Sequence, residues 1–273
     1  MFVRSFACLA CWCGLVLAAN AEESPEVVAA RKARLKAMQQ IAERFKVQAG
    51  KGDERKKVPL IEAPILRFND PAREFHDATL WAWGQTGRPL CLLAIEQYGD
   101  RSWFEFIALS SQRLTAEAET LRWAPGASSI ELKPFPDAPP PSDKAPQRLV
   151  QMKELLGQLT AYEVGRTGSR YELRLMPRPL HRYHDDKAEV VNEAILDGAI
   201  FAFAYGTNPE LLAVIEARGA AASAQWQIGF ARCGTAEPHV LLKAKEIFKL
   251  PYAKTTDAKD PYWNFSYTFK KTE

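Results

Sequence analysis

Asp77 and Glu96 are carboxylates on either side of a predicted β-hairpin that turns at residues 85–89, and Asp197 and Glu216 recur at the same spacing farther along the chain. In an antiparallel hairpin each pair arrives at one open end of its sheet. A strand returning alongside brings Arg67 to the first pair and Arg182 to the second. Two carboxylates in different environments can divide general acid and general base work between them. An arginine held between two carboxylates makes a bidentate ion network instead. The repetition favours the network, because one catalytic centre has no use for a second copy. If a catalytic site exists, Asp197, Glu216 and His184 are its candidate residues.

Other residues with chemical potential are sparser. His181-Arg-Tyr-His184-Asp185-Asp186 is the densest run of metal-ligand types. On a helix, H-x-x-H would place both rings on one face. The pattern over 178–183 reads as a strand, where residues three apart point to opposite faces, so no metal is expected. Cys233 and His239 are close in sequence, which is not the geometry of an activated thiolate. G-x-S-x-G, H-E-x-x-H, G-x-x-x-x-G-K-[ST] and G-x-G-x-x-G are all missing from the sequence, and no cofactor is expected. Trp81 and Trp83 share one strand face by their period of two. With Arg182 they are the candidate ligand-binding residues, as a platform for a flat sugar ring. Core packing is the simpler role for the two rings, since Phe201 and Phe203 replace them in the second half.

The elements that position these residues are themselves repeated. Residues 77–99 align with 197–219 at a constant offset, placing Asp77 on Asp197, Ala82 on Ala202, Pro89 on Pro209, Leu92 on Leu212 and Glu96 on Glu216. Upstream, Pro64-Ile-Leu-Arg67-Phe-Asn-Asp70 matches Pro179-Leu-His-Arg182-Tyr-His-Asp185, and Arg34, Leu35 and Met38 match Arg148, Leu149 and Met152. The same order of blocks in both halves reads as an internal duplication. Apolar stripes at Leu35, Met38, Ala42 and Phe45, and at Leu149, Met152, Leu156 and Leu159, predict helices over 34–46 and 148–160. Strands are predicted over 64–69, 79–84, 90–97 and 103–110, then over 172–183, 199–205, 210–217 and 225–232. The expected fold class is therefore α+β: two duplicated units, each one helix packed on an antiparallel four-stranded β-meander. The third strand of each unit, 90–95 and 211–215, is apolar at odd and even positions alike, so both of its faces should be covered. Alternating aromatics over 263–269 predict a further strand at a sheet edge.

Composition sets the outer bounds. The 273 residues are 47% hydrophobic and carry 36 Lys and Arg against 33 Asp and Glu. That is a globular make-up without the basic face that nucleic-acid binding requires. Arg4, an apolar run and Ala19-Asn20-Ala21 form a secretory signal pattern, so an extracytoplasmic protein, periplasmic or secreted, is expected, with no membrane span after cleavage. Cleavage leaves two of the five cysteines, Cys91 and Cys233, either paired or as buried thiols. The expected organisation is a signal peptide over 1–21, a first unit over 22–133, a Pro-rich linker over 134–146, a second unit over 147–250, and a tail over 251–273 holding the aromatic strand.

A helix followed by a curled four-stranded sheet, used twice, resembles the cystatin-like or NTF2-like α+β class. The motifs R-P-L-x-R-Y at 178–183 and D-G-A-I-F-A-F at 197–203 are similar to those of an uncharacterised family of exported bacterial proteins. These likenesses imply a fold and export, and no activity. The function expected from the residues is an exported two-lobed scaffold or binding protein, its partner an unknown protein or small-molecule ligand. The alternatives are a hydrolase-like enzyme with a sheet pocket, or a carbohydrate-binding module.

Overall fold

A computed structural model describes residues 24–70, 75–98, 101–185, 195–219 and 223–269. The first half runs through α1 (Pro25–Arg44), β1 (Lys46–Ala49), β2 (Lys56–Lys57), β3 (Leu66–Asp70), β4 (Phe75–Trp83), β5 (Cys91–Tyr98), β6 (Arg101–Ala108), β7 (Leu114–Ala118) and β8 (Leu121–Trp123). Next come β9 (Lys133–Pro134), α2 (Ala145–Leu156), β10 (Leu159–Val164), β11 (Arg170–Leu175), β12 (His181–Asp185) and β13 (Ile195–Tyr205). The chain continues through β14 (Asn208–Arg218), β15 (Gln225–Arg232), β16 (Glu237–Leu242), β17 (Lys245–Lys249) and β18 (Tyr262–Tyr267).

This arrangement overturns the expected α+β pair of helix-on-meander units: strand makes up 48% and helix only 15%. The strands form a four-stranded sheet ordered β2-β1-β7-β8 and a five-stranded sheet ordered β18-β6-β5-β4-β3. A nine-stranded sheet is ordered β17-β16-β10-β11-β13-β14-β15-β9, with β12 added on β13. The meanders β3–β6 and β12–β15 are present, but each helix leads directly into a strand of different company. Where the helical stripes were extended through Phe45 and Leu159, the chain has already left the helix. β1 pairs with β7, and β10 with β16 and β11. The strand expected over 172–183 breaks into β11 and β12 around Pro177 and Pro179, which have no N–H to give to a ladder.

Each helix begins where its sequence dictates. Ser24 caps α1 by accepting a hydrogen bond from the Val27 N–H, and Pro25 follows at the first helical position. α1 buries Met38 and Ala42, four residues apart on one face. α2 buries Arg148, Met152, Leu155 and Leu156.

Three cores result. Leu93 and Ile95 of β5 join Met38, Trp81, Trp83, Phe104 and Phe106 under α1. Leu211, Ala213 and Ile215 of β14 join Met152, Phe201 and Phe203 under α2. The opposite faces of the same two strands, Leu92 and Ala94, and Leu212 and Val214, meet in a third core between the halves. Both central strands are thus covered on two faces, which is why neither alternates. Each buried Leu, Ile or Phe contributes roughly 1.5–3 kcal/mol.

Candidate functional site

Asp77 and Asp197 occupy matching positions near the starts of β4 and β13, and both are buried. Arg67 donates to Asp77 through Nε at 2.7 Å, and Arg34 of α1 donates to it at 3.0 Å. In the second half Arg182 and Arg148 each reach Asp197 through Nε at 2.9 Å. Arg67 and Arg182 also hold helix carbonyls, those of Arg31 and Ala145, and Arg148 holds those of Ser142 and Asp143 just before α2. Each triad therefore fastens a helix to its meander. Burial alone would push the Asp77 carboxyl up, but hydrogen bonds from Arg67 and Arg34 outweigh it and hold its pKa below the usual range.

The glutamates expected in these networks lie elsewhere. Glu216 is fully buried, accepts the Tyr183 hydroxyl at 2.7 Å and Arg218 Nη1 at 3.1 Å, and pairs with Arg88 at 3.4 Å. Arg88 comes from the β4–β5 turn, so this ion pair crosses between the halves. Glu96 instead accepts the Tyr98 hydroxyl at 3.0 Å. The partners missed from sequence are Arg34 and Arg148. They were visible as a matched pair, but nothing local ties a helical arginine to a carboxylate 43 or 49 residues away.

His184, Asp197, Arg182, Arg148 and Tyr183 line one open cavity of about 460 Å³. Glu216 does not line it, so the proposed catalytic trio is not assembled. Asp197 is committed to two guanidinium groups, Arg148 and Arg182. Trp81 and Trp83 are 0% and 1% exposed beneath α1, which removes them as a sugar platform. Trp81 Nε1 donates to Thr79 Oγ1 at 2.8 Å, satisfying its polar atom inside the core.

Both described cysteines are free and buried, in different cores, and are not paired. Burial, reinforced by the charges of Glu105, Glu210 and Glu96, pushes the Cys233 thiol well up, which suppresses the thiolate. His239 stacks on Tyr162 at 4.3 Å and contacts Glu246 at 2.7 Å and Glu237 at 3.0 Å. Among the described residues no group of three or more His, Cys, Asp and Glu is arranged to hold a metal ion.

A second cavity, of about 330 Å³, lies at the seam between the halves. Glu96 and Glu105 reach it from β5 and β6, Glu163 from β10 and Glu210 from β14. All four are at least nine-tenths buried. Glu105 accepts the Tyr262 hydroxyl at 2.7 Å and Glu210 the Asn208 amide at 2.8 Å. Trp103, Tyr98, Tyr171 and Tyr252 add ring surface to the wall. Gly234 makes room for the arrangement, since a Cβ there would stand 2.5 Å from Glu210 Oε2.

Compared with known proteins, the chain matches no family model, no curated sequence and no solved structure. No helix among the described residues is long and apolar enough to cross a membrane. The expected signal peptide, and Asp186 of the histidine run, lie outside the described residues.

Proposed function

We propose that this chain is an exported binding protein without catalytic activity, and that its ligand is a small organic cation, an amine or guanidinium compound, seated in the seam cavity. The lining of that cavity carries the reading. Among the described residues, four carboxylates and one guanidinium, Arg166, border a space of about 330 Å³ alongside five aromatic rings. Carboxylates withdrawn from water attract a cation more strongly than exposed ones. Ring faces add roughly 0.5–2 kcal/mol of cation–π attraction per good contact. Walls contributed by both halves suit a ligand site, and the Asp77 and Asp197 triads, each fastening a helix, supply structure. The signal pattern at the N-terminus supports a place of action outside the cytoplasm.

Isothermal titration of the full chain with spermidine, agmatine and a neutral polyol tests the reading. Saturable binding of at least one cation, none of the polyol, and a weakening of about tenfold in Glu163→Gln are expected, since tenfold corresponds to one charge-assisted contact. Cations that do not bind, or an affinity that Glu163→Gln leaves unchanged, would overturn it.

A further inference from the structure

Arg232 ends β15 and is only 6% exposed, yet it lines an open groove of about 550 Å³. A guanidinium has five N–H donors. Among the described residues, the hydrogen bond Arg232 makes is one, from Nη2 to the Pro251 carbonyl. Its plane also lies near the Tyr262 ring, 5.6 Å from the centroid. No Arg232 nitrogen is both fully buried and without a partner among the described residues, so its remaining N–H groups open onto the groove and are free to bind what enters it.

The rest of the groove says what those N–H groups can take. Lys254 and Ser128 line it beside Arg232. Ser128 Oγ accepts the Ile130 N–H at 3.0 Å, which leaves its hydroxyl hydrogen available to donate. The carboxylates nearby are already engaged. Asp260 accepts the Asp257 N–H at 2.8 Å, and Glu105, whose charge Arg232 feels, accepts the Tyr262 hydroxyl. Leu250, Pro251, Ala253 and Pro261 give the wall its apolar surface, beside the hydroxyls of Ser129, Thr255 and Thr256.

We propose that this groove is a binding site for a small organic carboxylate, held by Arg232 with Lys254 and Ser128 while its apolar part lies against Leu250 and Pro261. A planar guanidinium matches a carboxylate with two parallel hydrogen bonds, and the apolar wall favours a carbon-bearing acid over an inorganic ion. The site takes the opposite charge from the seam cavity and has its own lining, with Glu105 of the seam cavity standing behind Arg232 and Tyr262.

Titration calorimetry of the full chain with butyrate, and with inorganic phosphate as the contrasting anion, tests the proposal. Butyrate should bind saturably, phosphate at least tenfold more weakly, and butyrate affinity should fall as salt rises. Lys254→Glu, which leaves buried Arg232 in place, should weaken butyrate about tenfold or more while the melting temperature holds. Arg232→Gln should abolish binding if it folds. No saturable butyrate binding, tighter binding of phosphate, or an unchanged affinity in Lys254→Glu each overturns the proposal.

Discussion

Arg148 of α2 and Asp197 of β13 meet at 2.9 Å with both side chains withdrawn from water, 9% and 4% exposed. The equivalent pair in the first half, Arg34 and Asp77, meets through the same Nε atom at 3.0 Å, but the Arg34 side chain is 39% exposed. The two joints share a geometry and differ in burial. Arg148→Ala should therefore cost about 3–5 kcal/mol of unfolding free energy, as breaking a buried pair does. Arg34→Ala should cost about 0–1 kcal/mol. Urea denaturation of the two variants checks this, and equal losses would mean that burial does not govern the joint.

Acid should weaken the first joint. The Asp77 carboxyl titrates below its unfolded value, so its contribution is present above the unfolded pKa and is lost as pH falls through the folded one. Stability should drop below about pH 4 in the native chain. The same drop should be shallower in Asp77→Asn, measured by urea midpoints across the acid range.

Gly198 stands opposite Tyr183 on β12 and Glu216 on β14. A Cβ at this position would lie 2.5 Å from Tyr183 Cε2 and 3.1 Å from Glu216 Cγ. Gly198→Ala must push the phenol off its buried acceptor and should cost about 1–3 kcal/mol. The hydroxyl should also lose its protected environment, which ultraviolet titration of Tyr183 reads as a fall toward the ordinary tyrosine range.

Gly234→Ala should act on binding more than on stability. The added methyl meets the flexible end of Glu210 rather than backbone, so the carboxylate can swing aside. Melting should change little while cation affinity in the seam cavity falls, measured by calorimetry on the same preparation.

Cys91 and Cys233 should resist alkylation until the chain unfolds. Both are buried, and burial pushes both thiols up. Mass spectrometry after iodoacetamide treatment should find these two cysteines unmodified in the native protein and modified in urea.

The sequence revealed most where a pattern was long. The strands β4, β5, β13 and β14 were legible from the matched blocks around Asp77 and Asp197, and the doubly covered β5 and β14 from their unbroken apolar runs. β18 was legible because Trp263, Phe265 and Tyr267 alternate, and it does pair along the edge of β6. The four-stranded sheet of the first half was not. Lys56–Lys57 and Lys46–Ala49 are too short to show a period, and Leu114–Ala118 mixes small and polar residues. Alternation placed Trp81 and Trp83 on one face without saying whether that face met α1 or water. The seam cavity assembles glutamates from four separate strands, and no local spacing announces such a meeting.

The edge of β6 is closed by β18, from Tyr262↔Ile107 to Tyr267↔Ser102, although all of α2 through β17 intervenes in the chain. The matching edge of β15 is closed by β9, which precedes α2. Each half thus borrows its last strand from beyond its own stretch of sequence. During synthesis the aromatic wall of Phe104 and Phe106 must wait, uncovered, until residues 262–267 have been made. A chain that stops short of them presents a bare strand edge, the kind of surface that recruits other chains, and a quality-control protease or chaperone would meet it before any ligand does.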